Sequence, residues 1–392
     1  MIAIAGGGIS GLGLAVALQQ QGHEVVVLER QPEIRDTGAG ISLWPNALAA
    51  LDSVGLGSVV RAIGRQLSSG GLRKPDGGTA VRFSARSFEA ALGEGLVCVH
   101  RGELVATLAG MLRPGTIRAG RAVTGYGPSG AGVRVQLAAG DGLEAEEVQA
   151  DALVGADGIH SAVAAAMAGP LGYRYSGYTA WRGIAQIDAD PEGEGIWACL
   201  PTGHEVGWLP ITAGRTYWFA TACLPPDYEF PHGDRAYLTQ AFAPLPHPVP
   251  ALLRATPEGQ LVRSDIVDRE MPSGFSRGPV TVIGDAAHPM RPHMGQGGCQ
   301  ALEDVAALAA CLANHSDPAT AFERYERMRR RRVATVVKLS QRSGFTRPPG
   351  RATAAADRLT ALLPGIPIGA ALWGLSPIAG YRAGVRASRA AG

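Results

Sequence analysis

The hydrophobic pattern of this 392-residue chain changes character several times between its ends. It opens with the apolar run Ile2-Ala3-Ile4-Ala5, breaks on glycines, resumes from Leu12 to Gln21 with helical spacing and stops at Gly22. A second apolar run is entered at Glu24 and closes on Glu29, so strand, tight turn, helix and strand fit within about 30 residues. Two later apolar strands end in small residues, one at Gly155-Ala-Asp157-Gly158 and one at Gly284-Asp285-Ala286-Ala287. Between about 171 and 276 the period becomes two, with aromatic residues in "YTAWRGIAQID", "GIWACLPTGHEVGWLPIT" and "RTYWFATACL". That alternation predicts an antiparallel sheet, with Thr216, Trp218 and Ala220 on one face and Tyr217 and Phe219 on the other. One face should roof a pocket and the other should meet helices or a second subunit. The Phe-x-x-Tyr-x-x-Met spacing of "AFERYERMRRRR" is helical again, which places its arginines on a solvated face.

The opening unit carries Gly6-x-Gly8-x-x-Gly11. Gly6 permits the turn, Gly8 lets the backbone approach a pyrophosphate and Gly11 lets the helix pack on the strand, with the phosphates at the helix N-terminus beside Ile9 and Ser10. Glu29 stands where a carboxylate accepts from a ribose hydroxyl, and its charge disfavours a 2′-phosphate there. The same glycine spelling recurs at Gly125-Tyr-Gly127-Pro-Ser-Gly130, but Pro128 and the alternating "AGVRVQL" that follows predict a hairpin turn. Context, not spelling, therefore makes the first copy a nucleotide site for NAD, FAD or both. Asp157 and Asp285, each at the carboxyl end of a strand, lie where open α/β sheets bind ligands, although Asp157 could equally cap the helix after it.

Composition narrows the partners. The chain is 46% hydrophobic and 18% charged with a net charge of +2, which implies no general attraction to nucleic acid or to membranes. No apolar run is long enough to span a bilayer, and the glycine-broken N-terminus lacks the basic start of an export signal. The five scattered cysteines have no C-x-x-C pairing, which favours reduced thiols and a cytoplasmic protein. Cys299 and His288 read as packing and turn-stabilising residues.

Five ordered motifs over roughly the first 310 residues carry a resemblance: the fingerprint ending in Glu29-Arg30, "GAGISLWPNAL" at 38–48, "HRGEL" at 100–104, Asp157-Gly158, and Gly284-Asp285 with "GQGG" at 295–298. The chain resembles the class A flavoprotein monooxygenases, the single-component aromatic hydroxylases similar to para-hydroxybenzoate hydroxylase and salicylate hydroxylase. The resemblance implies an α/β fold: a discontinuous Rossmann-like FAD-binding domain (1–72, 98–170 and 277–320), an inserted, mostly antiparallel substrate domain (73–97 and 171–276) and a helical C-terminal segment (321–392). It implies FAD, with Glu29 on the adenosine ribose, Arg30 and Val123 beside it, Arg101 at the pyrophosphate or ribityl region, Asp157 near the pyrophosphate and the path of the nicotinamide, and Asp285 on the ribityl chain. Gly40 and Ile41 would approach the flavin ring. Gly295, Gln296, Gly297 and Gly298 would bring backbone N–H groups to its pyrimidine edge, in a loop that opens a helix at about Gln300.

It further implies a reaction with NAD(P)H as a transient cosubstrate and O2, which hydroxylates or epoxidises a small electron-rich aromatic through a flavin C4a-hydroperoxide. That species survives only where water is excluded. The candidate substrate walls are Trp197, Trp208, Tyr217 and Pro292, with Arg182 as an anionic-group anchor and His293 as a base. His293, Tyr217 and Arg182 are the candidates for a direct part in the chemistry. The chain is expected to be a monomer or homodimer. Rival readings are a flavin oxidase or dehydrogenase on the same fold, and a noncatalytic flavin- or ligand-binding protein.

Overall fold

The computed structural model describes residues 1–34, 39–138, 146–189, 195–199, 204–342 and 377–380, without the side chains of 196 and 197. At its centre is a six-stranded sheet in the order Ser276–Arg277, Val280–Val282, Ala152–Gly155, Ile2–Ala5, Val25–Glu29 and Ile117–Ala119. All pairs are parallel except the edge pair formed by Ser276–Arg277. Ile2–Ala5 is buried at every position, as a parallel strand covered on both faces must be. The helix Ile9–Gln20 follows it, starting three residues ahead of the helical run read from Leu12, and leads into Val25–Glu29.

The second Gly-x-Gly-x-x-Gly is itself mostly strand. Val123–Ser129 pairs antiparallel with Gly132–Leu137, and the reversal falls at Gly130, whose φ is +58°. No helix follows it, so its glycines face no helix N-terminus.

The expected antiparallel sheet has seven strands, in the order Val262–Arg269, Tyr173–Ala185, Arg215–Ala222, His204–Ile211, Ile196–Cys199, Gly70–Arg73 and Thr79–Phe83. Only the pairing of Ile196–Cys199 with Gly70–Arg73 is parallel. The domain boundary expected at residue 72 falls inside Gly70–Arg73, whose two partners both belong to this sheet. Trp181, Val206, Trp208, Trp218 and Ala220 pack on its outer face against Leu238, Phe242, Val249 and Leu252 of the helices Gly233–Phe242 and Val249–Arg254. Ile184, Leu209, Ile211 and Tyr217 pack on its inner face against Phe88, Leu96 and Cys98. The period-two reading of 216–220 therefore holds, with helices on one side and the nucleotide-binding body on the other.

Residues 343–376 and 381–392 of the expected C-terminal helical segment lie outside the described residues. Its described part is dominated by the helix Pro318–Arg342, which packs on the helix Gly297–Asn314. Among the described residues no helix is long and apolar enough to cross a membrane.

Between those two helices sits a buried ionic cluster. Glu303 and Asp304 are wholly buried. Arg329 donates to Asp304 Oδ1 at 2.7 Å and pairs with Glu303, while Arg332 donates to both Glu303 oxygens at 2.6 and 2.7 Å. Burial alone would raise the Asp304 carboxyl, but His288 and Arg329 outweigh it and hold the group down at about 2. A folded-state value below the ordinary 3.8 means that this carboxylate stabilises the fold above that pH and that the contribution is lost as pH falls toward 2. Removing one partner of such a cluster leaves a buried charge uncompensated. Arg329→Met is expected to cost about 3–5 kcal/mol in urea unfolding, and Asp304→Asn to flatten the loss of stability between pH 4 and pH 2; an Arg329→Met protein as stable as the parent would contradict the account.

Candidate active site

A cleft of about 370 Å³ opens at the carboxyl ends of Ile2–Ala5 and Val25–Glu29. Gly6, Gly8, Glu29, Arg30, Arg101, Val123 and Asp157, all expected at the nucleotide, line it together. Gly6 has φ +105°, and a Cβ there would lie 2.4 Å from Ala156 O. A Cβ on Gly11 would meet Gly6 O at 2.0 Å, so this glycine is what lets the helix start against the turn. Gly8 is different: it is extended, and an added Cβ would have no protein atom within 4 Å. The space it guards is ligand space.

The helix that begins at Ile9-Ser10-Gly11 has no side-chain cap, and its N-cap residue Gly8 lines the cleft, which leaves its first N–H groups for a ligand. Glu29 accepts from Gly7 N–H at 2.6 Å and from Gln31 N–H at 2.8 Å, which fixes its carboxylate at the cleft wall. Asp157 does both things expected of it. Its Oδ2 accepts from the N–H groups of Ala162 and Val163 and so helps to cap the helix Ala162–Ala168, while its Oδ1 is buried with no partner. Burial raises its carboxyl above the ordinary value, against hydrogen bonds from Ser161 and the helix that lower it.

A second cluster lies where the loop after Val280–Val282 meets the strand Gly40–Leu43. Asp285 is exposed in the turn Gly284–Ala286, and a Cβ on Gly284 would sit 3.1 Å from Ser10 Oγ, so this turn closes on the fingerprint helix. Arg269, which the sequence reading missed, is buried beneath it and donates to the carbonyls of Asp285 and Ala286 at 3.0 and 2.6 Å. Gly295 has φ +61° and lies against Ser42 and Trp44, and Gly298 packs on Ile41. The helix begins at Gly297, not near Gln300, and again has no side-chain cap. The Gln296 side chain turns away from this N-terminus into the ionic cluster, where Oε1 accepts from Asn46 and Gln300. Burial pushes the Cys299 thiol up to about 12, in keeping with a packing residue, and His288 is a buried partner of Asp304 at 2.5 Å.

The inner sheet face closes over this cluster. Gly40 touches the ring of Tyr217, since a Cβ there would fall 2.5 Å from Tyr217 Cγ. Arg182, on the neighbouring strand and the same face, donates to Ser264 Oγ at 3.0 Å. Pro292, His293 and Met294 form a short 3₁₀ turn in which Pro292 is exposed and the His293 side chain is buried. Trp208 corrects the sequence reading: it opposes Trp218, and Leu209 is the residue opposite Tyr217. With period-two alternation Trp208 must then point outward, into the helix-covered core, away from Tyr217. Trp197 is in the strand Ile196–Cys199, but its side chain lies outside what is described. Glu205 was not singled out from the sequence, yet its carboxylate is 3.2 Å from His293 Nδ1.

A Rossmann-type cleft and a second uncapped helix N-terminus beneath a sheet are the parts that a flavin dinucleotide-binding protein requires. The chain belongs to the family described as FAD binding domain, which matches residues 1–340. It is 38% identical over 344 residues to the aurachin C monooxygenase/isomerase of Stigmatella aurantiaca, covering 88% of each chain. It is 34% identical to the FAD-dependent urate hydroxylase of Klebsiella pneumoniae over 85% of this chain and 87% of that one. The structure of Klebsiella pneumoniae HpxO complexed with FAD and uric acid superposes with a TM-score of 0.86 at 31% identity, over 95% of this chain and 96% of that one. A salicylate hydroxylase substrate complex, at 24% identity and TM-score 0.72, shares the fold over 99% of this chain and 97% of that one. These findings bear out the family resemblance, and the chain is an FAD-dependent monooxygenase.

The residues present fit FAD: two helix N-termini without caps, a glycine whose missing Cβ leaves open space, and one orphaned carboxylate oxygen await donors and phosphates. Gly8→Ala should leave the apoprotein's Tm unchanged while weakening FAD affinity tenfold or more, about 1.4 kcal/mol, in a flavin-fluorescence titration. Unchanged affinity would show that the cofactor does not approach Gly8.

Proposed function

We propose that this protein is an NAD(P)H-consuming monooxygenase that places one oxygen atom from O2 on an electron-rich aromatic or heteroaromatic small molecule. FAD, when bound, supplies the hydride acceptor and the activation of O2. The chain's own part is to bind, orient and keep dry. Glu29, Arg30, Arg101, Val123 and Asp157 would hold the adenosine and pyrophosphate end, and Asp285 the ribityl chain. The backbone of Gly295 to Gly298, opening a helix, would face the flavin ring where negative charge gathers on reduction. Gly40 and Ile41 would bound the ring on another side.

The observation that carries the reading is the contact of Tyr217 with Gly40 beside the uncapped start of Gly297–Asn314. It sets an aromatic, water-excluding wall against the segment expected at the flavin ring. Tyr217 is buried, and burial raises its phenol, which keeps it neutral as a wall and hydrogen-bond donor. Urate and 3-amino-4-hydroxybenzoate, the substrates in the names of two kinds of relative, are ring compounds with ionisable ring substituents, which supports this substrate class. No second dinucleotide unit follows the first in the sequence, which favours a nicotinamide that visits and leaves.

The purified yellow protein should oxidise NADH or NADPH faster when a suitable aromatic is present, and the product should gain 16 mass units, the mass of one oxygen atom. Nicotinamide oxidation indifferent to every aromatic in a broad panel, or product without added oxygen, would refute it.

A further inference from the structure

Where the inner sheet face meets the turn Pro292–Met294, three buried polar side chains come together that the binding of FAD does not use. His293 and Glu205 are 6% and 7% exposed as side chains and meet through Nδ1 and Oε2 at 3.2 Å. The ring of Tyr178 lies 4.9 Å from that of His293, tilted by 38°. The Tyr178 hydroxyl is buried with no hydrogen-bond partner, although the residue is only 4% exposed. A buried hydroxyl left without a partner is destabilising, so a polar ligand atom beside the His293 ring would gain from it.

The pair has a direction. A carboxylate only accepts, so the proton between Glu205 and His293 belongs to Nδ1. The lone pair is then left on Nε2, which has no partner among the described residues. The groups in contact with this ring are Tyr178 from the strand Tyr173–Ala185 and Glu205 from His204–Ile211; the Tyr178 hydroxyl in turn lies in the field of Arg291, whose charge is taken up by Asp268 at 2.6 Å, and of Arg182. Arg182, held by Ser264 at 3.0 Å, is thus a cation close to the Tyr178 hydroxyl.

We infer that His293 is the base that deprotonates the substrate and that Glu205 is the positioning residue which fixes its tautomer; this rests on the monooxygenase reading above. The substrate class is then an aromatic or heteroaromatic ring with a ring hydroxyl or ring N–H. The O–H or N–H bond breaks, the proton bonds to Nε2, and the electron pair stays on the substrate, which becomes the more electron-rich anion. Glu205 neutralises the imidazolium formed, and Tyr178 and Arg182 donate to or face the anion. A substrate recognised only through a free carboxylate would be repelled by Glu205.

The test uses the FAD-loaded protein and 4-nitrophenol, whose colour reports its ionisation and whose binding is read from the flavin spectrum. In the parent protein bound 4-nitrophenol should ionise at a pH about one unit lower than in solution, a tenfold change in proton affinity. His293→Asn should abolish most of that shift and Glu205→Gln should reduce it, while Glu205→Asp, which keeps the carboxylate, should restore part of it. FAD content and Tm, read on each variant, separate a folding defect from a lost base, and His293→Gln serves where His293→Asn does not fold. A shift of the same size in the parent, His293→Asn and Glu205→Gln proteins overturns the proposal, as does 4-nitrophenol that binds without ionising early or leaves the flavin spectrum untouched. A shift that obeys the expected order in a protein whose nicotinamide oxidation no aromatic stimulates would defeat the monooxygenase reading and leave the base standing.

Discussion

Three segments around the flavin site, the turn at Gly284, the loop at Gln296 and the helix after Trp44, are held in place by two adjacent carboxylates that have no access to water. Glu303 and Asp304 sit nearly two turns into the helix Gly297–Asn314, and between them their oxygens bind the helix Pro318–Arg342, the turn at Gly284 and the side chains of Asn46 and Gln300. Asp304 Oδ2 accepts from Gly284 N–H and meets His288, which fixes both ends of the turn that presents Asp285. Glu303 Oε1 accepts from Asn46 and Gln300, and through them holds Gln296 and the helix after Trp44. Arg332 ties the same carboxylate to the carbonyls of Pro377 and Ile378. An apolar filling of equal volume could be as stable. It would not tell the turn at 284, the loop at 296 and the helix at 329 where to lie relative to one another.

On that platform the sheet brings two kinds of surface. Ile184, Leu209 and Ile211 make an apolar seal with Phe88 and Leu96, and Tyr217 closes over Gly40. Farther along the same face the residues become Tyr178, Arg182, Glu205 and Ser264. The division follows from one inward-facing set of positions on neighbouring strands. A dry interior strengthens every charge interaction at its polar end, so the seal and the polar cluster serve one purpose: they let a few fixed groups control the protonation of what binds there.

Much of this was legible in the sequence, for reasons that differ by element. Glycines that must avoid a specific backbone atom, such as Gly6 against Ala156 and Gly11 against Gly6 itself, act within a short span and leave a local signature. The decoy at Gly125 failed the same local test because a strand followed it. Alternation along 216–220 separated the two sheet faces, but it could not relate the phase of one strand to that of the next, and Trp208 was put beside Tyr217 when the register makes it a neighbour of Trp218. Glu205 and Arg269 left no signal, and Arg329, expected on a solvated helix face, is buried instead. Each acquires its role from a partner 16 to 88 residues away, and one charged residue in a strand or helix looks like another until the chain is folded.

Asp157 shows why a structural and a ligand-binding reading of one residue need not compete. A carboxylate has two oxygens, and here the helix Ala162–Ala168 takes one while the other is buried beside the cleft without a partner. Burial disfavours the charge that the helix bonds favour, and the net effect is an upward shift. A donor arriving from the cleft would satisfy the orphaned oxygen and stabilise the ionised form, which is also the form that best caps the helix. Cofactor binding and helix capping are therefore linked through a single side chain, and by reciprocity whatever firms the start of that helix must also tighten the hold on the ligand.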